Sequence, residues 1–269
     1  MNKKYALLIF LPVYILFLSC ARQDQDNEAD FRFYFTNDKT GIIIETFLGQ
    51  QESLAIPGKI QNLPVAKIGR RAFYGLDRES RLTSVIIPDS VTVIERNAFS
   101  HNLLENVTIG SNVAVIEDGA FLNNRLVSIS IPDSVIAIDI MAFMRNRLAS
   151  INIPASVLFI GVGAFMDNHL TEAVISNGVV HIGNAAFAIN QLASITIPDS
   201  VTRIEPFAFE TNPLTWISIG ADVTLGDYNE LAGTFMPSFD RGFDAFYLAH
   251  GRRAGIYTYT NGAWSVDFR

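Results

Sequence analysis

Apolar residues return at a fixed spacing along most of this chain. Between residues 72 and 209 the pair Ala-Phe occurs seven times, and its last six copies are 22 residues apart. Only the first gap is longer, at 26 residues. A fixed period in this range indicates one short structural unit that is stacked many times. The pairs are Ala72-Phe73, Ala98-Phe99, Ala120-Phe121, Ala142-Phe143, Ala164-Phe165, Ala186-Phe187 and Ala208-Phe209.

The rest of the unit shares this register and reads N-x-L-x-x-I-x-I-P-x-S-V-x-x-I-x-x-x-A-F-x-x. The stretch L-x-x-I-x-I alternates as a strand with one buried face does, and the following Pro or Gly ends the strand. Because one coil cannot cover its own apolar side chains, neighbouring coils must do so. We therefore predict a repeat solenoid with a parallel β-sheet on one face and irregular or short second-strand segments opposite.

An Asn stands three residues after each of the last six Phe residues. Its side-chain amide offers two donors and one acceptor. Stacked Asn side chains can therefore bond the backbone of the tight bend in adjacent coils, where polar groups would otherwise be stranded. We predict a structural ladder formed by Asn102, Asn124, Asn146, Asn168, Asn190 and Asn212.

This unit resembles the BspA-like leucine-rich repeat, found in surface lipoproteins of treponemes and in Bacteroides-like bacteria. The resemblance covers residues 54–225 and is weakest in the coil from Leu170, where Ala173, Ser176 and Gly178 replace the usual Ile, Pro and Ser. It implies a cell-surface leucine-rich repeat protein that binds other proteins. It further implies an adhesin towards host extracellular-matrix or plasma proteins, or towards other bacteria.

The first residues are typical of an export signal. Lys3 and Lys4 precede a nearly continuous apolar run that ends at Ser19. The run is too short to span a membrane comfortably, for which about 20 residues are needed, and it fits a signal peptide at residues 1–19. Cys20 is the only cysteine and resembles a lipoprotein modification site. The alternative is a cleaved secretory peptide with an incidental Cys.

We therefore expect an exported protein, lipid-anchored in the bacterial cell envelope and exposed on the outer membrane. Residues 20–30 are polar and acidic, as in a flexible tether. Residues 31–53 contain two strand-like runs around Asn37-Asp38, which predict a hairpin that caps the first coil.

Beyond Leu225 the period is lost, and residues 226–269 are predicted to form a C-terminal cap. Aromatic residues in this region have the spacing of one helix face. Asn261-Gly262 then predicts a terminal hairpin. A separate ligand-binding module is the alternative interpretation. The aromatic residues are Phe235, Phe239, Phe243, Phe246 and Tyr247.

Nothing in the sequence predicts catalysis, and we expect no enzyme activity, no cofactor and no metal site. The four His residues fall at different phases of the repeat, and no hydrolase or phosphate-binding motif is found. The formal charge of −7 becomes −9 once Lys3 and Lys4 leave with the leader. This charge argues against nucleic acid and anionic lipid heads as partners, so we expect membrane contact through the N-terminal lipid only.

Two surfaces are candidates for binding a protein ligand. The outward strand positions are mostly small and hydroxylic, and Glu172 and Trp216 are the exceptions. Trp216 could serve as a binding anchor or pack under the C-terminal tail. The second surface is a flank of the central coils that is rich in apolar residues, with Leu158, Phe159 and Met166 as candidates.

The flank could be exposed or could pack more deeply than this phase assignment assumes. If it is exposed, it suggests a partner surface or self-association. The runner-up function is therefore a structural or assembly protein of the cell envelope that pairs with itself through this flank.

Overall fold

The computed structural model of the protein describes residues 28–77, 81–229 and 234–268, and here the chain winds as a β-solenoid of about eight turns. The predicted signal peptide, Cys20 and the tether up to residue 27 lie outside the described residues. Those assignments, and the proposed domain boundaries, stay predictions.

The described residues contain 22 strands, one α-helix and two short 3-10 turns at Glu28–Asp30 and Gly75–Asp77. The strands are short, and many contain only two or three residues. In chain order they are β1 (Phe31–Phe35), β2 (Ile42–Phe47), β3 (Ser53–Ala55), β4 (Lys59–Ile60), β5 (Leu63–Ile68), β6 (Ser84–Ile86), β7 (Val93–Ile94), β8 (Asn106–Thr108), β9 (Val115–Ile116), β10 (Ala137–Ile138), β11 (Ser150–Ile153), β12 (Phe159–Ile160), β13 (Glu172–Ile175), β14 (His181–Ile182), β15 (Ser194–Thr196), β16 (Arg203–Ile204), β17 (Trp216–Ile219), β18 (Thr224–Leu225), β19 (Asp227–Asn229), β20 (Thr234–Met236), β21 (Gly255–Thr260) and β22 (Ala263–Phe268), with helix α1 at Phe243–Ala249 before β21.

One long sheet runs through the whole solenoid. Its order is β1-β2-β5-β7-β9-β10-β12-β14-β16-β18, with β4 beside β5. From β2 to β18 successive strands along this path are parallel, whereas β1 and β2 are antiparallel. From β7 to β16 each strand ends in a fully or almost fully buried Ile, so every coil adds the same two-residue rung to this long sheet.

The strands of the L-x-x-I-x-I segments are divided among three shorter sheets instead of one continuous sheet: β3-β6-β8, β11-β13 and β15-β17-β21-β22, the last of which includes the terminal hairpin β21-β22. The predicted parallel sheet with short second strands is confirmed, but the continuous ladder lies on the V-x-x-I side. The shorter strands break between β13 and β15, next to the coil in which Ala173 replaces the usual Ile. Residues 128–131 form no strand, and nothing in their consensus sequence explains this.

A column of stacked phenylalanine rings fills the bend of every coil. Phe143 is fully buried, and its ring centroid lies 5.3 Å from that of Phe121 and 5.4 Å from that of Phe165. The planes are within 8° of parallel, an offset arrangement that aromatic rings prefer over direct overlap. The prediction that Phe143 sits between these two rings is confirmed.

The Asn ladder closes the same bend. Asn146 Oδ1 accepts the backbone N–H of Leu126 at 3.1 Å, and its Nδ2 donates to the carbonyl oxygens of Phe121 at 2.9 Å and Phe143 at 3.1 Å. Each amide thus joins its own coil to the preceding one, and the predicted ladder is confirmed. The same three bonds are made by Asn102, Asn124, Asn146, Asn168, Asn190 and Asn212, all of them buried.

At the N-terminal end the antiparallel pair β1–β2 covers the first coil. Phe31 and Phe47 continue the ring column, with Phe47 5.4 Å from Phe73 and Phe31 5.3 Å from Phe47. The predicted hairpin therefore covers the end of the ring column, which would otherwise be exposed to water.

At the C-terminal end the predicted helix is much shorter than its aromatic spacing suggested. Helix α1 holds Phe243, Phe246 and Tyr247, but Phe235 lies in β20 and Phe239 lies in a bend. The prediction is wrong for these two residues. Phe239 instead stacks 4.8 Å from Phe209 as the next ring of the column, so burial against the last coil overrides the helical spacing.

The buried carboxylate of Asp244, in the first turn of α1, holds this bend in place. It accepts the backbone N–H groups of Ser238 at 2.7 Å and Phe239 at 3.0 Å. The terminal hairpin predicted at Asn261-Gly262 is present as β21 and β22, and β21 pairs antiparallel with β17. The solenoid therefore ends on a small mixed layer of helix and hairpin.

We expect Phe143→Ala to lower the free energy of unfolding by about 3–5 kcal/mol, because it leaves a cavity between two stacked rings. Asn146→Ala should cost about 1–3 kcal/mol, since it leaves the buried backbone N–H of Leu126 without its acceptor. The control is Asn152→Ala, an exposed Asn on β11. Chemical denaturation followed by circular dichroism measures all three. Equal stability of Asn146→Ala and Asn152→Ala would contradict the ladder.

Burial raises the pKa of Asp244 to about 6, against an ordinary value near 4. Between these values the folded state holds a proton that the unfolded state has lost, so stability should fall as pH rises from about 4 to about 6. Asp244→Asn should flatten this slope. Thermal unfolding across that pH range, with the exposed Asp267→Asn as control, measures it; curves parallel to wild type for Asp244→Asn would refute this assignment.

Candidate functional surface

The outward face of the long sheet carries a row of carboxylates, here called the carboxylate row. Each follows the buried Ile of its strand, and one of its oxygens accepts a backbone N–H from the preceding coil. These charge-assisted bonds tie neighbouring coils together at the surface. They join Arg70 N to Glu95 Oε2 (3.1 Å), Arg96 N to Glu117 Oε2 (3.0 Å) and Asn184 N to Glu205 Oε2 (2.9 Å).

The carboxylate row is interrupted in the central coils. Asp139 takes the next position, and burial together with the nearby carboxylate of Asp118 raises its pKa. Gly161 and Gly183 occupy the two positions after it. A Cβ atom at Gly161 would lie 2.5 Å from the carbonyl carbon of Asp139, so a side chain there would push the coils apart. The row therefore has two empty positions.

Large apolar side chains surround this interruption. Ile136 is 50% exposed, Leu158 44% and Phe159 53%. The alternative that this flank packs into the interior is therefore wrong for Leu158 and Phe159. We use the name apolar flank for the exposed residues Ile136, Ile140, Met141, Leu158, Phe159 and Val162.

A shallow cleft of about 200 Å³ lies within the apolar flank. The ring of Phe159 stands 6.2 Å from that of His181. At one end His181 Nε2 lies 2.9 Å from Glu205 Oε1. The cleft is lined by Ile140, Phe159, Ile160, Gly161, Val162, His181, Gly183 and Glu205.

Met166, the third predicted flank residue, borders the apolar flank and is half-buried. A Cβ atom at Gly163 would lie 3.5 Å from Met141 and 3.8 Å from Met166. Both Met side chains therefore lie beside Gly163. Met166 extends the apolar surface towards the bend but does not line the cleft.

The other two candidates lie on the shorter sheets. Glu172 is exposed on β13 and lines a groove of about 300 Å³ where the ladder breaks before β15. Trp216 is half-buried on β17, opposite Ser194 on one side and Thr258 of β21 on the other. The C-terminal hairpin therefore flanks the strand of Trp216. The structure places Glu172 and Trp216 on two of the shorter sheets, whereas Phe159 lies on the long sheet and Leu158 directly precedes its strand.

Sequence reasoning missed the features that shape the cleft. Gly161 and Gly183 interrupt the carboxylate row. A comparison of the residue that follows the buried Ile in each coil would have revealed both glycines. His181 was set aside because the four His residues do not align, yet here it bonds Glu205. Ser218 is one of the small hydroxylic residues that strand alternation places on the outward side with Trp216, yet it is buried, because β21 pairs alongside β17.

Within the described ranges no cluster of three or more His, Cys, Asp or Glu side chains could hold a metal ion. The same residues include no helix long and apolar enough to cross a membrane. The geometry is that of an exposed surface with shallow grooves.

Several solved structures resemble this solenoid. A leucine-rich cell surface protein from Faecalibacterium prausnitzii A2-165 is 29% identical with a TM-score of 0.63, and the match covers 88% of this chain and 59% of that one. This chain thus spans about three-fifths of that protein's length. A leucine-rich repeat protein from Bacteroides ovatus is 22% identical, with a TM-score of 0.57 and coverage of 74% and 54%. The leucine-rich repeat protein of T. pallidum is 24% identical, with a TM-score of 0.50 and coverage of 68% and 76%.

No match was found among curated protein sequences. The sequence model of the BspA-type leucine-rich repeat region matches residues 50–170 and 115–230, with six copies. These ranges span more than half of the chain and contain both the Asn ladder and the apolar flank. The chain belongs to the BspA-type leucine-rich repeat family.

Proposed function

We propose that this protein is a lipid-anchored bacterial surface protein that binds another protein through its solenoid, as an adhesin towards host matrix or other cells. The observation that carries the proposal is the apolar flank. Folded proteins rarely leave a contiguous apolar patch in water without a binding role. Here the six exposed side chains come from two consecutive coils, in or next to strands β10 and β12 of the long sheet.

The shape of the surface favours a protein partner over a small molecule. Pockets for small ligands usually enclose about 300–1,000 Å³, whereas the cleft in the apolar flank has about 200 Å³ and is open. Stacked coils offer a long, repetitive surface of the kind that repeat proteins use to bind partners. The flank should therefore act as the apolar centre of a wider interface.

The proposed location rests on the leader and on one relative. Lys3, Lys4 and the apolar run before Cys20 have the order of a lipoprotein signal. The F. prausnitzii protein is described as a cell surface protein. An acidic stretch between Cys20 and the first strand would hold the solenoid away from the membrane.

Self-association in the cell envelope is the second candidate function. The same observation favours it, because none of the six side chains of the apolar flank is charged. Two copies could therefore pair these faces without burying an unpaired charge. Glu172 and Trp216 stay candidates for a separate contact on the shorter sheets.

We expect Leu158→Ser with Phe159→Ser to abolish partner binding, or self-association, while the fold is kept, since both side chains are exposed. Light scattering on residues 21–269 measures the oligomer, and a binding screen against immobilised matrix proteins measures ligand capture. The matched control is Ile86→Ser with Val174→Ser, two exposed apolar residues on the shorter sheets.

Loss of binding only in the flank variant supports the proposal, and loss of the oligomer assigns the flank to assembly. Unchanged binding and unchanged size in the flank variant would remove the basis of both functions.

Cys20→Ser should release the protein from membranes or leave it unprocessed, because two or three acyl chains anchor a protein firmly and an unmodified Ser carries none. Membrane fractionation with mass spectrometry of the N-terminus measures this. A Cys20→Ser protein that is still cleaved and still membrane-bound would rule out lipid anchoring at Cys20.

A further inference from the structure

Two residues that line the cleft of the apolar flank carry backbone N–H groups that the described part of the solenoid leaves without an acceptor. The carbonyl oxygens of Ile140 and Val162 are bonded, since they accept N–H groups from Gly119 and Met141, each at 2.8 Å. The N–H groups of Ile140 and Val162 have no acceptor among the residues that the structure describes. Both residues line the cleft and are exposed. An ideal Cβ atom on Gly161 would lie 2.7 Å from the nitrogen of Ile140, and one on Gly183 would lie 2.9 Å from the nitrogen of Val162. Each nitrogen therefore lies beside the space that a side chain of the next coil would occupy.

The neighbouring coils indicate which chemical group belongs there. At the equivalent position the N–H groups of Arg96 and Asn184 each donate to the carboxylate of the next coil. For Ile140 and Val162 the next coil offers only Gly161 and Gly183. The two free donors are one coil apart, about 4.8 Å. An oxygen acceptor from another molecule can therefore take the place of the missing side chains.

The charges around the cleft favour a neutral acceptor. Asp139 and Asp118 lie on one side, and Glu205, paired with His181, closes the other. A further carboxylate between these groups would meet like charges, which disfavours its ionised form. A peptide carbonyl accepts the same hydrogen bonds without this repulsion.

The side chains that line the cleft favour a ligand with an apolar group beside that acceptor. Phe159 and Ile140 are exposed, and burying them against a partner's apolar side chain is favourable. The cleft has about 200 Å³, which suits a single side chain and its adjoining peptide unit.

We propose that this cleft binds a peptide segment of a partner protein. An apolar side chain packs against Phe159, and main-chain carbonyl oxygens accept the N–H groups of Ile140 and Val162. This inference rests on the proposed function, because it names the chemistry by which the apolar flank would recognise a protein.

The test is an NMR titration of ¹⁵N-labelled residues 21–269, which include every described residue. The probe is N-acetyl-leucine methylamide, a neutral peptide unit with an apolar side chain. We expect the amide protons of Ile140 and Val162 to shift downfield together and to saturate. N-acetyl-leucine, the carboxylate analogue, should bind more weakly above the pKa of its acid. Tighter binding of the carboxylate, or no shift of these two amides, would overturn the proposal.

Val162→Pro removes one of the two donors and keeps an apolar side chain. The equivalent position of a later coil is already Pro206, whose carbonyl accepts the N–H of Ala185 in the usual way, so the backbone tolerates proline there. We expect the dissociation constant of the probe to rise about threefold to tenfold, with a similar loss for Phe159→Ala. The control Val174→Ala, on the shorter sheets, should leave binding unchanged.

Equal binding by wild type and Val162→Pro would refute the hydrogen-bonding role. If the apolar flank captures a partner in the binding screen while these amides stay unperturbed, this inference fails and the proposed function stands.

Discussion

The side-chain amide of Asn at the bend is the interaction on which the solenoid depends. A coil of 22 residues turns sharply around a buried Phe, and the backbone groups at that turn cannot reach water. One amide satisfies three of them, two in the preceding coil and one in its own, as Asn146 does. Unpaired, each such group would cost about 1–3 kcal/mol. The ring column and the two-residue rungs of the long sheet can stack only because this bend is closed.

Since the interior of each coil is nearly the same, differences between coils lie on the surface. The outer coils carry carboxylates that bond back to the preceding coil, as Glu117 does to Arg96. The central coils replace them with Gly161 and Gly183 and place Leu158 and Phe159 nearby, exposed to water. A departure from the repeat that exposes apolar area gains nothing in stability. It is in these central coils that a binding function is best sought.

Much of the fold could be predicted because a period of 22 residues allows few alternatives. The position of Phe143, the bonds of Asn146 and the terminal hairpin all follow from local spacing. The long sheet could not be assigned to the V-x-x-I side, because its strands have only two residues per coil. Two residues are too few to show the apolar-polar alternation that predicts a strand. Phe239 was misplaced since its helical spacing competes with stacking on Phe209. The cleft could not be predicted from candidate functional side chains, because it forms at glycines, which have none.

The hydrogen bonds of the Asn ladder also impose an order on the folding of the coils. Each amide reaches back to the coil before its own, so the backbone N–H of Leu126 finds its acceptor only once Asn146 is in place. A chain that folds from its N-terminus onwards therefore completes its coils in the order of the sequence. Until the Asn of the following coil is in place, the most recently formed bend has an unpaired backbone N–H. The last coil has no following Asn, and its completion waits for Ser238, whose carbonyl accepts the N–H of Phe209 and whose hydroxyl donates to Ile204.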